Sequence, residues 1–300
     1  MVVRHIAIFI LCLGSLAFGQ EMEPRSYSPA PVGTNFGVIS YGNTSGSVVV
    51  DPSLPITDAS ARFNTVALGY YHAFGLFGRQ TSIAAGLPYV WGTANGLLDG
   101  ESARARRSGL ADLRLRLAYF LIGSPALTPQ EFKTRRSRTI LGASLTISAP
   151  SGQYDPSLLI NLGSNRWAFK PEIGLSRSLG SWLLEADLGS WFFTDNSSFF
   201  RGHVRRQAPI ASAQGHVSYT FRPRLWLSFD GTFYGGGRTT IDAVHNEDRQ
   251  RNARLGATLS LPLTRSQSLK FTFSRGAVVR VGGNFTTISA AYQFSWLTKK

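Results

Sequence analysis

The sequence predicts an all-β fold, a transmembrane antiparallel β-barrel of about 12 strands. Three observations predict it. Runs in which apolar and polar residues alternate recur along the chain. The connections between those runs are long and short by turns. Aromatic residues gather at the ends of the runs rather than in their middles.

Composition agrees. The 300 residues are 43% hydrophobic and only 16% charged, and 31 of them are glycine. Glu and Lys, good helix formers, are scarce, whereas Gly and aromatic residues abound, which favours strands. The formal net charge of +14 opens nucleic acid, anionic membranes and acidic ligands as partners. The arginines are scattered and no basic helix or lysine cluster appears, so nucleic acid is excluded.

Residues 1–19 are expected to be a signal peptide. Arg4 supplies the charge, Ile6–Phe18 the apolar run, and Ala17 and Gly19 the small residues before a mature start near Gln20. The single cysteine, Cys12, lies inside this segment and not after it, which argues against lipidation. A secreted chain without disulfides needs another closure, and a sheet closed on itself supplies one. Residues 20–33, rich in proline from Pro24 to Pro31, are expected as a flexible arm.

Strands are expected at Thr34–Tyr41, Arg62–Phe74, Arg79–Val90 and Leu110–Ile122. Further ones follow at Arg138–Ala149, Trp167–Ser178, Trp182–Thr194 and Pro209–Phe221. The last four are Leu225–Gly235, Ala253–Leu263, Leu269–Arg275 and Phe285–Trp296. Most reach the roughly 9–11 residues that a tilted strand needs to cross a bilayer. The barrel is expected over 34–296, with 297–300 as a C-terminal overhang. In "DLRLRLAYFL" (Asp112–Leu121), Leu113, Leu115, Leu117 and Tyr119 fall on one face and Asp112, Arg114, Arg116 and Ala118 on the other. An arginine facing lipid at mid-depth costs about 2–4 kcal/mol, so the arginine face belongs in a wet interior.

The connections Gly42–Ala61, Trp91–Gly109, Pro150–Arg166, Asp195–Ala208 and Gly236–Asn252 are long; Gly75–Gly78, Leu179–Ser181, Arg222–Arg224 and Thr264–Ser268 are short. A barrel with both ends in the periplasm has this rhythm of short inner turns and long outer loops. Gly123–Ser137 breaks it with a small helix expected near Pro129–Thr134. A soluble exported sandwich, the competing fold, has no reason to keep loop lengths in phase.

The same parity turns Arg114, Arg116, Lys170, Glu172, Glu185, Asp187, Asp230, Arg254 and Lys270 inward as lumen-lining candidates. They can set pore selectivity or simply pair and brace the wall. His72, His203, His216 and His245 show no metal-ligand spacing and read as incidental, so no metal and no cofactor is expected. His216 and Ser218 share a strand face, but nothing nearby can be named to orient the base, and no catalytic residue is assigned. "AVHNEDRQ" (Ala243–Gln250) reads as a solvated loop, and Gly235–Gly237 as a strand rim bending into a loop. Arg104, Arg106, Arg107, Arg201, Arg205, Arg206, Arg249 and Arg251 fall in outer loops, where lipopolysaccharide phosphates are the expected partner.

Several segments carry a resemblance. They include "SGLADLRLRLAYFLIGSPALTPQEF" (Ser108–Phe132), "GASLTISAPSGQYDPSLLINLGSNRWAFKPEIGLSR" (Gly142–Arg177), "HVSYTFRPRLWLS" (His216–Ser228) and "YGGGRTTIDAVHNEDRQRNARLGATLSLPL" (Tyr234–Leu263). With "VVDPSLPITDA" (Val49–Ala59) and "WFFTDNSSFF" (Trp191–Phe200), they span most of the mature chain. In these the sequence resembles the outer-membrane transporter family of the meta-pathway of phenol degradation. The resemblance implies a channel or transporter for passive uptake of small compounds, aromatic or hydrophobic ones among them, and no enzyme. It draws attention to Pro150–Arg166 as the loop shaping the entrance, with Gln153, Tyr154, Asp155, Asn165 and Arg166 as candidates. The alternative is a structural or surface barrel with a plugged lumen. Expected partners are outer-membrane lipid, a small solute and the barrel insertion machinery acting through the C-terminal strand. That strand departs from the usual aromatic ending, because Leu297-Thr298-Lys299-Lys300 follows Trp296.

Overall fold

A computed structural model describes residues 22–49, 56–98, 100–135, 139–158 and 160–298. The expected signal peptide, Arg138 and the Lys299-Lys300 end of the expected overhang lie outside the described residues.

The alternating runs become strands β1 (Thr34–Val49), β2 (Ile56–Leu76), β3 (Arg79–Leu98), β4 (Glu101–Leu110), β5 (Arg114–Ile122) and β6 (Thr139–Ser148). Next come β7 (Ala168–Leu179), β8 (Trp182–Phe193), β9 (Asn196–Phe199), β10 (His203–Gln207), β11 (Ile210–Arg222) and β12 (Leu225–Gly236). The chain ends with β13 (Thr239–Ile241), β14 (Val244–His245), β15 (Gln250–Pro262), β16 (Gln267–Val278) and β17 (Gly282–Leu297). Each wall strand pairs antiparallel with its neighbours, and β1 pairs with β17 from Thr34↔Leu297 to Val49↔Gly282. That pairing closes the wall. β4 and β5 lie end to end along β3 and count as one position, so the barrel is 12 strands round. Among the described residues no helix is long and apolar enough to cross a membrane, which leaves crossing to the strands.

Parity behaves as alternation dictates. Leu115, Leu117, Ile173, Leu175, Leu184, Leu188, Leu255 and Ile288 are all exposed on the outside. Their sequence neighbours Ala118, Ser176, Glu185, Asp187 and Arg254 are buried within. An apolar exterior around a polar interior is stable in lipid and not in water. Leu188, 61% exposed in the middle of β8, tests this directly. Leu188→Arg should destabilise the inserted barrel by about 2–4 kcal/mol, measured by urea titration in lipid vesicles. A neutral result would mean that this face meets water.

The structure corrects four boundaries. The expected strand Leu110–Ile122 is interrupted at 111–113, because the Asp112 carboxylate bonds to the 150–166 connection. The expected loops 42–61 and 91–109 are largely strand, so β2 has 21 residues and β3 has 20 and both rise well past bilayer height. Alternation continues there, but between polar outward residues and small inward ones such as Ala61 and Ala94, so no greasy face marks it. The connections 195–208 and 236–252 hold a second sheet, in the order β14-β13-β10-β9. Finally, β17 runs on to Leu297, one residue past the expected end, and Thr298 N–H donates to the Gly33 carbonyl at 2.8 Å.

The expected helix is α1 (Pro129–Phe132), a single turn capped by Thr128 and Glu131 in a reciprocal capping box. Gly236, with φ at 112°, ends β12; a Cβ there would come within 2.4 Å of the Pro209 carbonyl oxygen. The glycine run does serve as the rim where β12 bends into the connection to β13.

Candidate functional site

Residues 22–33 do not hang free as expected. They lie inside the barrel against its wall. Tyr27, 1% exposed, fits between Gly142 on β6 and Gly174 on β7, where Cβ atoms would stand 2.3 and 2.1 Å from its ring. Two glycines therefore make the slot. Phe120 closes it edge-on at 6.2 Å, and the Arg116 guanidinium covers the ring at 4.8 Å. The tyrosine hydroxyl meets Ser144 Oγ at 2.9 Å and lies 3.4 Å from Glu172 Oε1. On the opposite side of the arm, Arg25 N–H donates to Glu185 Oε2 at 2.8 Å. The Arg25 guanidinium donates to Thr220 Oγ1 at 2.6 Å and stacks over Trp226 at 4.5 Å. Ala30 N–H donates to Gln80 Oε1 at 3.0 Å. Three separate wall regions therefore hold one short segment.

The nine inward candidates sort into groups around this arm. Lys170 pairs with Glu172 at 2.7 Å, and Arg116 approaches the same carboxylate at 3.7 Å. Glu185, Asp187 and Asp230 surround His216, which register places directly opposite both Asp230 and Glu185. His216 Nδ1 is 2.8 Å from Asp230 Oδ1, and Nε2 is 3.9 Å from Asp187 Oδ2. Ser228 and Thr258 hydroxyls complete the Asp230 shell at 2.6 and 2.9 Å. His216 is thus not incidental but the centre of a buried wall network. Asp230 supplies the orienting group that sequence alone could not name, yet the far ring nitrogen faces a carboxylate rather than a serine, so the arrangement is no hydrolytic triad. Arg254, 1% exposed, donates to Ser274 Oγ at 2.9 Å. Arg114 and Lys270 line cavities.

Two cavities among the described residues flank the arm. One, of about 370 Å³, lies among Arg114, Arg116, Thr146, Lys170, Glu172 and Gln214. The other, of about 640 Å³, lies among Phe36, Val38, Tyr71, Trp226, Lys270 and Gln293. Glu23, Ser26, Ala84, Ala85 and Arg116 line both, so the arm and one arginine form the partition.

The entrance-loop candidates cover the long-loop end. From β6 and β7 the 150–166 connection reaches nearly across the mouth. There Ile160 packs with Val48, Ala61, Ala94, Val281 and Phe285, and its carbonyl accepts from Arg107 Nε at 2.6 Å. Asp112 holds the crossing at both ends, accepting from Gly152 N–H at 2.9 Å and from Ser164 N–H and Oγ at 2.9 and 2.6 Å. Gln153 pairs through its backbone with Leu110 and Gly163. Tyr154 donates to the Ser198 carbonyl at 3.1 Å and accepts from Asn196 at 3.0 Å; burial pushes its phenol up from the ordinary value. Asp155 turns back onto Ser157, whose N–H and hydroxyl hold its carboxyl below the usual range. Asn165 bonds to Asn196 at 2.9 Å. Arg166 is buried over Phe193 at 4.3 Å and donates to Gln207. Burial and the neighbouring Arg205 charge draw its guanidinium below the ordinary value, though an arginine keeps its proton. All five candidates therefore belong to one lid-like crossing, held by Asp112.

Of the outer-loop arginines, Arg107 turns onto the crossing, Arg205 is buried and Arg206 pairs with Asp195 at 2.8 Å. Asp248, within the expected solvated loop, holds Thr239 through both oxygens. Among the described residues no group of three or more His, Cys, Asp or Glu could hold a metal ion.

The pattern of a family described as "Putative MetA-pathway of phenol degradation" matches residues 40–294. No curated protein matches the sequence. Among solved structures, the chain is similar to an outer membrane channel from Pseudomonas putida F1, with 22% identity over 92% of this chain and 100% of that one and a TM-score of 0.74. It is also similar to the transport unit of the autotransporter AIDA-I from Escherichia coli, with 10% identity, 99% of each chain covered and a TM-score of 0.51. The β domain of the Bordetella autotransporter BrkA gives 10% identity, 88% and 100% coverage, and a TM-score of 0.51. At these identities the likeness is one of fold, and the fold is an outer-membrane barrel.

Proposed function

The chain belongs to the MetA-pathway of phenol degradation family of outer-membrane barrels, and from that premise we propose that it is a channel for passive uptake of small compounds. The observation that carries this reading is the pair of stacked cavities, walled by side chains of both signs and parted by the chain's own arm. Phe36, Tyr71 and Trp226 on the larger cavity give an aromatic or hydrophobic solute surfaces to slide along. Solute enters past the 150–166 crossing, meets the Arg114, Arg116, Lys170 and Glu172 chamber, and leaves past Lys270. The barrel performs no chemistry. Its expected partners are lipopolysaccharide and, through β17, the insertion machinery.

Planar-bilayer conductance together with uptake of labelled phenolic compounds into liposomes tests this reading. Channel events with uptake support it; silence in both, with and without the arm, would leave a purely structural barrel. That second reading is favoured by one observation, the packing of Tyr27 and the 150–166 crossing into the lumen.

Ion selectivity gives a finer test. Glu172 is the carboxylate between Lys170 and Arg116. Glu172→Gln leaves Arg114, Arg116 and Lys170 facing the smaller cavity against Glu23 alone, and should raise anion over cation permeability roughly tenfold, through focusing of the local field. The reversal potential in a KCl gradient measures it, and an unchanged value would take these residues off the ion path.

A further inference from the structure

The outer face of the wall carries a pattern that transport does not use. Strand register lines up outward-facing residues in rows, and one row crosses six strands without a break: Arg275, Thr286, Ser45, Arg62, Thr93 and Arg106. Every position is a guanidinium or a hydroxyl. No acid interrupts it. The next row toward the loop end adds Asn95 beside Arg104. Four residues down each strand toward the short turns, the face is wholly apolar or aromatic: Phe271, Ala290, Tyr41, Val66, Tyr89 and Leu110. The change from rings to guanidinium groups spans about 13 Å and the row is about 24 Å wide, from standard strand rise and spacing. Tyr41 and Trp91 meet at 6.3 Å just below it, and the Tyr41 hydroxyl donates to Asn64 at 2.8 Å, so polar contact begins at this height. Four of the six positions lie on the tall β1–β2 and β3–β4 hairpins, whose extra length carries Arg62 and Arg106 above the aromatic girdle, and Arg275 and Thr286 continue the row onto β16 and β17.

We propose that this row seats the phosphorylated saccharide headgroup of lipopolysaccharide in the outer leaflet. Aromatic rings mark the boundary between acyl chains and headgroups. A row of guanidiniums one step above that boundary stands at phosphate height. Arginine recognises phosphate through paired N–H donors, and the interleaved Ser and Thr hydroxyls suit both phosphate and sugar oxygens. Charge complementarity and height together fix the occupant, since a protein partner would not require its anions at the lipid boundary. The inference rests on the outer-leaflet placement in the reading above and not on conduction.

The test is lipid retention by the full mature protein in detergent, read by native mass spectrometry with added lipopolysaccharide, dephosphorylated lipopolysaccharide or phosphatidylglycerol. Arg62→Gln, Arg106→Gln and Arg275→Gln combined should weaken lipopolysaccharide binding roughly 100-fold, at about a kilocalorie per cation near a charged surface. A matched variant at the short-turn end, Arg177→Gln, Arg222→Gln and Arg265→Gln, should bind as the parent does. Heat-shifted migration on gels verifies that each variant is folded. Equal retention by both variants, or equal binding of the dephosphorylated lipid or of phosphatidylglycerol, would overturn the proposal. Conductance of the same preparations reports separately on the channel.

Discussion

Deleting Met22–Val32 should turn a nearly shut barrel into an open pore, with conductance rising by roughly an order of magnitude. The partition between the two cavities is built from Glu23, Ser26 and Arg116, with Ala84 and Ala85 behind. Without the arm, the cavities merge and Arg116 loses the ring it covers. The wall itself does not depend on the arm, since β1 begins at Thr34 and closes on β17. Two point changes separate loss of the plug from loss of sequence. Tyr27→Ala empties the slot. Gly174→Val fills it from the other side, where even a Cβ would stand 2.1 Å from the ring. Both should raise conductance less than deletion does and make it flicker, because Arg25 still holds its contacts with Glu185 and Thr220. Single-channel recording reads all three. Deletion with unchanged conductance would place the constriction in the 150–166 crossing instead.

The second large effect is expected at Asp112. Its carboxylate accepts three hydrogen bonds from Gly152 and Ser164 and so ties both ends of the crossing, as Asn196 does more weakly through Tyr154 and Asn165. Hydrogen bonds to a charged acceptor are worth about 1.5–3 kcal/mol each and do not add fully. Asp112→Ala should therefore cost about 3–5 kcal/mol locally. Amide exchange at Gly152 and Ser164 should speed up at least roughly 100-fold, with protease cutting confined to 150–166 and the wall still protected. Asp112→Asn, which keeps the shape and one acceptor, should fall between. Exchange no faster than in the parent would show that Ile160, packed across the mouth, secures the loop alone.

The wall was legible in the sequence because alternation needs only neighbours along one strand. Leu184, Glu185, Ala186 and Asp187 announce their faces by themselves. The inward set of nine residues followed from the same parity. What could not be read is pairing between strands. His216 looked idle because Asp230 is 14 positions away and Glu185 is 31 away, and only register makes them neighbours. The arm looked free because its prolines argue for a loose segment, while the slot that receives Tyr27 is cut by glycines more than a hundred residues later. The tall hairpins read as loops in the sequence because their outward residues are mostly Ser, Asn, Thr and Arg, which give no hydrophobic period even where the pleat persists. The crossing was found by resemblance, and its anchor, Asp112, was seen only as one more inward charge.

The seam between β1 and β17 also bears on how the ring can close. Thr34 and Leu297 are partners although the rest of the wall lies between them in the chain, so the ring stays open along two edges until β17 docks on β1. The peptide that will occupy the middle is attached to one of those edges, and Asn35 and Thr298 clasp beside its base at 3.0 Å. The stopper is thus tethered to the seam of the hoop that encloses it, and removing β17 should leave the stopper without a vessel.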